Sequence, residues 1–364
     1  MADQLYQNNQ LILDSSNIEP GSIAWKSPSN IALIKYWGKY GEQLPRNPSV
    51  SFTLEQAFTE MAIEWELKEA SDRNVEVELY FDLFRHEAFE ERIRKTLTQL
   101  GELFPFLFQL KLTIHSSNSF PHSSGIASSA SSMSALALCL CSMEDEFFGT
   151  LEDDALFEQK ASYVARLASG SAARSIYGKA AIWGGMPGVE GSSDLYAIPF
   201  GKKLHPVFHT FQNAILIVSS GEKKVSSTAG HHLMQDNPYA EPRYAQANQR
   251  MNQMLQALES GDVERMGTIA EQEALTLHAL MMTSNPSYML MEPSSIELIK
   301  RIRAFRADTG IPAYFTLDAG PNIHLLYPEE NRDTVQEFVI TELSTLCQDG
   351  LFIDDRVGEG PEQQ

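Results

Sequence analysis

Pro121-His122-Ser123-Ser124-Gly125-Ile126-Ala127-Ser128-Ser129-Ala130 is a Gly/Ser-rich stretch that runs into a small-residue helix. It follows Leu110-Lys111-Leu112-Thr113-Ile114-His115, whose alternating polarity predicts a strand. Strand, small-residue loop and helix start, in that order, make a phosphate cradle. Free backbone N–H groups at a helix N-terminus point at the anion, and the helix dipole favours its negative charge. Gly125 removes a side chain where the backbone must approach closely. Ser128 and Ser129 add hydroxyls that can bind phosphate oxygens or a metal-bound water. The spacing is not GxxxxGK[ST], so this is not a Walker A loop. A serine-rich cap on a buried helix gives the same local pattern, and the rest of the chain has to separate the two.

Outward from the loop, the stretch from Ser128 to Cys141 is too apolar for a surface helix and is expected at the centre of a domain. Upstream, residues 50–54, 61–65 and 75–79 alternate like strands, and 87–101 carries Phe89, Ile93, Leu97 and Leu100 on one helical face. Downstream, a helix is expected over about 152–168, with strands at 180–183 and 195–198. A boundary falls at 200–206. Beyond it come a strand at 213–218, helices at about 239–259, 262–281 and 293–308, strands at 314–318 and 323–327, and a helix at about 331–346. Strand-rich then helix-rich halves predict an α+β fold in two lobes. The expected division is a flexible lead-in over 1–20, a first domain over 21–205 holding the phosphate loop, and a second over 206–364.

The 364 residues suffice for two cores, and 43% hydrophobic with 21% charged residues is ordinary globular composition. A net charge of −20 argues against nucleic-acid and anionic-membrane binding, which need a positive field, but permits an anionic small ligand in a local basic pocket. Cys139, Cys141 and Cys347 form neither a disulfide framework nor a metal-ligand pattern. No basic region followed by an apolar stretch opens the chain, and a cytoplasmic location is expected.

Four further segments bear phosphate-type donors. Ser29-Asn30-Ile31-Ala32-Leu33-Ile34-Lys35-Tyr36-Trp37-Gly38-Lys39 ends an apolar run in two lysines around Tyr-Trp-Gly, an unusual sequence for surface. Arg166-Leu167-Ala168-Ser169-Gly170-Ser171-Ala172-Ala173-Arg174 offers hydroxyls, close-approach backbone and a guanidinium suited to carboxylate. Thr316-Leu317-Asp318-Ala319-Gly320-Pro321-Asn322 puts an aspartate at the end of an apolar strand, where it is a catalytic carboxylate or an Asx-type turn cap. Lys223-Lys224-Val225-Ser226-Ser227-Thr228 is a capped helix start or a further anion donor.

Together these segments resemble the diphosphomevalonate decarboxylase (mevalonate diphosphate decarboxylase) family of the GHMP kinase superfamily. The resemblance runs in order through Asn30–Lys39, Pro121–Ala130, Ser169–Arg174, Val225–Thr228 and Asp318–Asn322. It implies a two-lobed GHMP kinase-like fold with the active site in the cleft between lobes. It also implies ATP-dependent decarboxylation of mevalonate 5-diphosphate to isopentenyl diphosphate, with ATP and Mg2+ as the other small molecules and a homodimer as the assembly. By the resemblance Asp318, Lys35 and Arg174 are catalytic. Tyr36, Lys39, Ser169, Gly170, Ser171 and Ser227 bind substrate, and Ser124, Gly125, Ile126, Ala127, Ser128 and Ser129 bind ATP. Ser129 is the one candidate beside the magnesium, and no direct metal ligand is assigned. His122-Ser123-Ser124 and Ile126 depart from the family's usual Thr-Ala-Ala and Leu. A related decarboxylase or kinase acting on a similar substrate, and a non-catalytic binding protein on the same fold, are the competing expectations.

Overall fold

The computed structural model describes residues 5–14, 16, 18–69, 72–120, 128–221 and 227–364, with 227 and 228 described by their backbone. The expected loop residues Ser124, Gly125, Ile126 and Ala127, with His122, lie outside the described residues. So does the side chain of Ser227.

Two sheets organise the chain. The first is built on a strand of 19 residues, Ser49–Leu67, which pairs antiparallel with Gly21–Ile34. Its first part also pairs with Ala180–Trp183 and its last part with Leu110–Asn118. Glu76–Phe81 adds to Leu110–Asn118 in parallel. The expected strands at 50–54 and 61–65 are therefore one strand. A register shift between Pro28 and Asn30 leaves residues 54–57 bulged, and the bulge divides the alternation into two runs. Amides that lose their ladder partners in a bulge need others. Asp355 supplies them: Oδ1 accepts the N–H groups of Glu55 (2.9 Å) and Gln56 (2.8 Å), and Oδ2 that of Ala57 (2.9 Å).

The second sheet is antiparallel, in the order Tyr314–Thr316, Ile323–Tyr327, Gln212–Leu216, Phe352–Arg356. Since Asp355 lies on its edge strand, the bulge contact also joins the two sheets. The chain then returns to the first sheet, where Glu362–Gln363 pairs with Trp25 and Lys26.

The helices are α1 (Glu87–Leu100), α2 (Ser128–Phe148), α3 (Asp154–Ala168), α4 (Ser227–His232), α5 (Ala240–Ser260), α6 (Val263–Met282), α7 (Pro293–Thr309) and α8 (Arg332–Phe338). In α2 every residue from Met133 to Glu144 is buried, as its uniform apolarity predicts. The helix expected at 331–346 changes character after Phe338, continuing as a π-helical turn over Val339–Leu343 and a 3-10 turn over Ser344–Leu346. In the stretch read as a flexible lead-in, Leu11 and Leu13 are buried in the first core, and Leu13 N–H donates to Gln109 Oε1 at 2.8 Å. Among the described residues no helix is long and apolar enough to cross a membrane.

Candidate active site

Strand Gly21–Ile34 delivers Lys35 into the interior, not to solvent. Its side chain is 2% exposed, and Nζ donates to Asp318 Oδ1 at 2.9 Å. Asp318 stands just past strand Tyr314–Thr316 of the second sheet and keeps 31% exposure, so the pair bridges the sheets with its carboxylate at an accessible surface. Burial lowers the Lys35 pKa below its usual value, and Asp318 opposes that shift by charge and hydrogen bond.

The Lys35 backbone is held as firmly as its side chain. Glu273 Oε2 accepts its N–H at 3.0 Å, while Asn47 Nδ2 donates to its carbonyl at 3.1 Å. Glu273 is itself fully buried between Arg243 (2.6 Å) and Arg250 (3.0 Å). A buried carboxylate needs such partners.

Arg174 sits on a 3-10 turn, Gly170–Ile176, and is 2% exposed. Nε donates to Ser51 Oγ at 3.0 Å, Nη1 to Ser49 Oγ at 2.8 Å and Nη2 to Asn30 Oδ1 at 3.2 Å. All three acceptors are neutral. Burial pulls the guanidinium down to about 10, opposed by the charge of Asp318, so it stays cationic at neutral pH. A guanidinium has five N–H groups. With three taken among the described residues, one N–H is left on each terminal nitrogen for a carboxylate.

Tyr36 and Trp37 enter the structure instead of facing solvent. The Tyr36 ring lies against Trp183 (4.6 Å between centroids) and His231 (4.4 Å), and its hydroxyl is buried with no hydrogen-bond partner among the described residues. Trp37 packs with Tyr244, Leu277 and Met281 of the second half of the chain. A Cβ on Gly170 would stand 2.9 Å from the Tyr36 hydroxyl and 2.8 Å from the Trp183 ring, so a glycine is required there. Gly38 has φ +94°, and its N–H donates to His231 Nδ1 at 3.0 Å.

Lys39 reaches Gln43 Oε1 at 3.0 Å, and burial lowers its pKa. Ser169 and Ser171 are half-buried beside Gly170, and the Ser171 carbonyl accepts Asn30 Nδ2 at 3.1 Å. Ser128 and Ser129 form the half-buried first turn of α2. Among the described residues no group of three or more His, Cys, Asp or Glu is arranged to hold a metal ion.

The structure thus brings Lys35, Asp318 and Arg174 together, with Tyr36, Lys39 and the Ser169–Ser171 turn on the same strand end. The sequence reading missed Ser49, Ser51, Asn47, Glu273, Arg243, His231 and His278, the last of which meets the Asp318 main-chain carbonyl through Nε2 at 3.1 Å. Ser49 and Ser51 are the polar phase of an alternating strand start, Ser49-Val50-Ser51-Phe52-Thr53-Leu54, and carry no signal of their own. Glu273 and His278 look like any polar residues on an amphipathic helix.

A mixed helix-and-sheet architecture, with buried Lys35 and Arg174 beside the Asp318 carboxylate where the two sheets meet, is that of the GHMP kinase-like class. The comparisons with known proteins narrow this further. Residues 27–194 match the diphosphomevalonate decarboxylase-like N-terminal domain, and residues 213–355 match the mevalonate 5-diphosphate decarboxylase C-terminal domain. The diphosphomevalonate decarboxylase of Candida albicans is 30% identical over 327 residues, covering 85% of each chain. That of Saccharomyces cerevisiae is 30% identical over 330 residues, covering 86% of this chain and 79% of its own. The mevalonate diphosphate decarboxylase structure from Staphylococcus aureus superposes with a TM-score of 0.80 at 26% identity, covering 95% of this chain and 98% of its own. The complex of MDDEF with MVAPP, AMPPCP and magnesium superposes with a TM-score of 0.79 at 27% identity, covering 95% and 99%. The chain belongs to the diphosphomevalonate decarboxylase family.

Proposed function

We propose that this chain catalyses the ATP-dependent decarboxylation of mevalonate 5-diphosphate to isopentenyl diphosphate, releasing ADP, phosphate and CO2, in the mevalonate route of isoprenoid biosynthesis. One observation carries the reading at atomic level. Asp318, partly exposed, is held on buried Lys35, with Arg174 buried close by and two of its N–H groups unspent among the described residues.

Hydroxide leaves a tertiary carbon poorly, so the 3-hydroxyl is phosphorylated first. Asp318 accepts that proton as the oxygen bonds to the γ-phosphorus and ADP departs. A tertiary alcohol is far less acidic than a carboxyl group, so proton transfer accompanies phosphoryl transfer and does not precede it. Lys35 orients Asp318 through the 2.9 Å hydrogen bond to Oδ1. In the second step the bond to CO2 breaks, its electron pair forms the alkene, and the 3-phosphate leaves with the C–O electrons. Arg174 holds the carboxylate in line for this loss.

Tyr36, Lys39, Ser169, Gly170, Ser171 and Ser227 are assigned to the diphosphate end, and the buried Tyr36 hydroxyl, unpartnered among the described residues, is a donor waiting for an oxygen. The stretch from Ser124 to Ser129 is assigned to the ATP phosphates, whose charge Mg2+ neutralises. We assign the working form as a homodimer in the cytoplasm on the family resemblance, and sedimentation of the purified chain tests the dimer.

Asp318→Asn tests the chemical assignment. Asparagine keeps the size and can cap the turn, but it cannot take the proton. Turnover should fall roughly 10²–10⁴-fold with substrate and ATP binding close to normal. Near-normal CO2 release would return Asp318 to a turn cap.

A further inference from the structure

Lys35 and Asp318 lie 283 positions apart and reach each other from different sheets. Each sheet has its own ladder, so neither sets the distance between the two residues. Helix α6 touches both partners. Glu273, near its middle, accepts the Lys35 main-chain N–H at 3.0 Å. His278, five residues on, donates from Nε2 to the Asp318 main-chain carbonyl at 3.1 Å. At about 1.5 Å rise per residue the two anchor points stand ~7.5 Å apart along one rigid helix.

We propose that helix α6 sets the separation of the Lys35–Asp318 pair by holding the main chain of each partner, Lys35 through Glu273 and Asp318 through His278. The proposal rests on the reading of that pair as the reacting centre. Glu273 and His278 are positioning residues, since both act through the backbone of the reacting residues.

The anchors are built to be stiff. Glu273 is 0% exposed and takes Arg243 through both oxygens, at 3.1 and 2.6 Å, and Arg250 at 3.0 Å. Arg243 Nη2 extends to the Lys35 carbonyl at 3.4 Å, so the α5–α6 hairpin grips the peptide units on both sides of this residue. His278 is 1% exposed, and burial holds its pKa down to about 4. It is therefore neutral at working pH, and a carbonyl partner requires the proton on Nε2. The Asp318 carbonyl also accepts the Gly320 N–H at 2.8 Å. That bond is local and shapes the turn, while the His278 bond ties the turn to α6.

The test compares His278→Gln with His278→Asn. The glutamine amide nitrogen lies as many bonds from Cα as Nε2 and can keep the bond to Asp318. The asparagine amide is one bond short. His278→Asn should lose roughly 10- to 100-fold in kcat, the scale of a 1 Å misplacement, with KM for mevalonate 5-diphosphate and ATP within about twofold. His278→Gln should recover to within a few-fold of the parent. Glu273→Asp keeps the charge for both arginines but withdraws from the Lys35 amide, and should repeat the kcat-only loss. Equal rates in the Gln and Asn variants, or losses confined to KM, overturn the proposal. If the Asn variant fails to fold, a folded His278→Gln that has lost tenfold or more in kcat overturns it, and one near parent rate supports it. Asp318→Asn runs alongside. If it stays active, the reading of the pair as reacting centre falls, and this proposal with it. If it is inactive while His278→Asn turns over normally, this proposal alone falls.

Discussion

Replacing Arg174 with lysine keeps a positive charge and removes the fork. Among the described residues the guanidinium spends three N–H groups on Ser51, Ser49 and Asn30 and keeps one on each terminal nitrogen. A lysine ammonium carries its three donors on one atom. It cannot span acceptors on three residues and also present two parallel N–H groups to a carboxylate. Losing one charge-assisted hydrogen bond to substrate costs about 1.5–3 kcal/mol. At ~1.4 kcal/mol per tenfold, kcat/KM for mevalonate 5-diphosphate should drop roughly 10- to 150-fold. Two of the three buried oxygens also lose their donor, so a loss of a few degrees in melting temperature is expected at ~2–4 °C per kcal/mol. ATP-analogue affinity should not move, because no assigned ATP contact involves Arg174. Steady-state kinetics in both substrates, an analogue titration and a melt of the same preparation supply the three readouts. A folded Arg174→Lys enzyme with kcat/KM within twofold of the parent refutes the carboxylate-fork argument.

Three other perturbations probe other parts of the molecule. Ser129→Ala at the first turn of α2 should weaken ATP use and spare the fold, since alanine suits a helix; unchanged ATP affinity and turnover would reduce the serine to a helix cap. Asp355→Asn gives up at least one of the three bulge amides and should cost about 1–3 kcal/mol of stability with little effect on kcat; a denaturant midpoint equal to the parent's counts against that joint. Burial lowers His278 and His324 to about 4 and pushes His231 to about 3, whereas an unfolded histidine titrates near ~6.5. Between those values the unfolded chain binds more protons, so this contribution is full above about pH 6.5 and is lost as pH falls toward 4. The melting temperature should therefore be clearly lower at pH 5 than at pH 7.5, and a flat profile contradicts the buried neutral histidines.

The parts of the site carried by short contiguous motifs are legible in the amino-acid sequence itself. Lys35-Tyr36-Trp37-Gly38-Lys39 reads as more than a strand end because aromatic residues between lysines have to pack somewhere, and Trp37 does, against Tyr244, Leu277 and Met281. Asp318 reads from its place after an apolar strand. What sequence could not supply is direction. Glu273 and His278 satisfy the helical period of 262–281 whether they face solvent or the interior. Only the α5–α6 hairpin and the approach of Lys35 and Asp318 turn them inward. The break between 50–54 and 61–65 misled for a related reason. A four-residue bulge repaired by Asp355, some 300 residues away, lets one strand carry two phases, and local alternation cannot register a partner that distant. Leu11 and Leu13 were hidden by their polar surroundings, since two buried leucines in a short segment set up no period.

On the proposed mechanism, phosphoryl transfer and loss of CO2 occur on one substrate beside the Lys35–Asp318 pair. The purified chain, incubated with ATP, Mg2+ and mevalonate 5-diphosphate labelled at the carboxyl carbon, tests it directly when CO2 and ADP are counted in the same reaction. The expected result is equimolar release of the two, with isopentenyl diphosphate as the organic product and turnover by Asp318→Asn lower by roughly 10²–10⁴-fold. ADP formed without labelled CO2 would make this a kinase, and neither product would leave a binding protein on the same fold; both results contradict the mechanism.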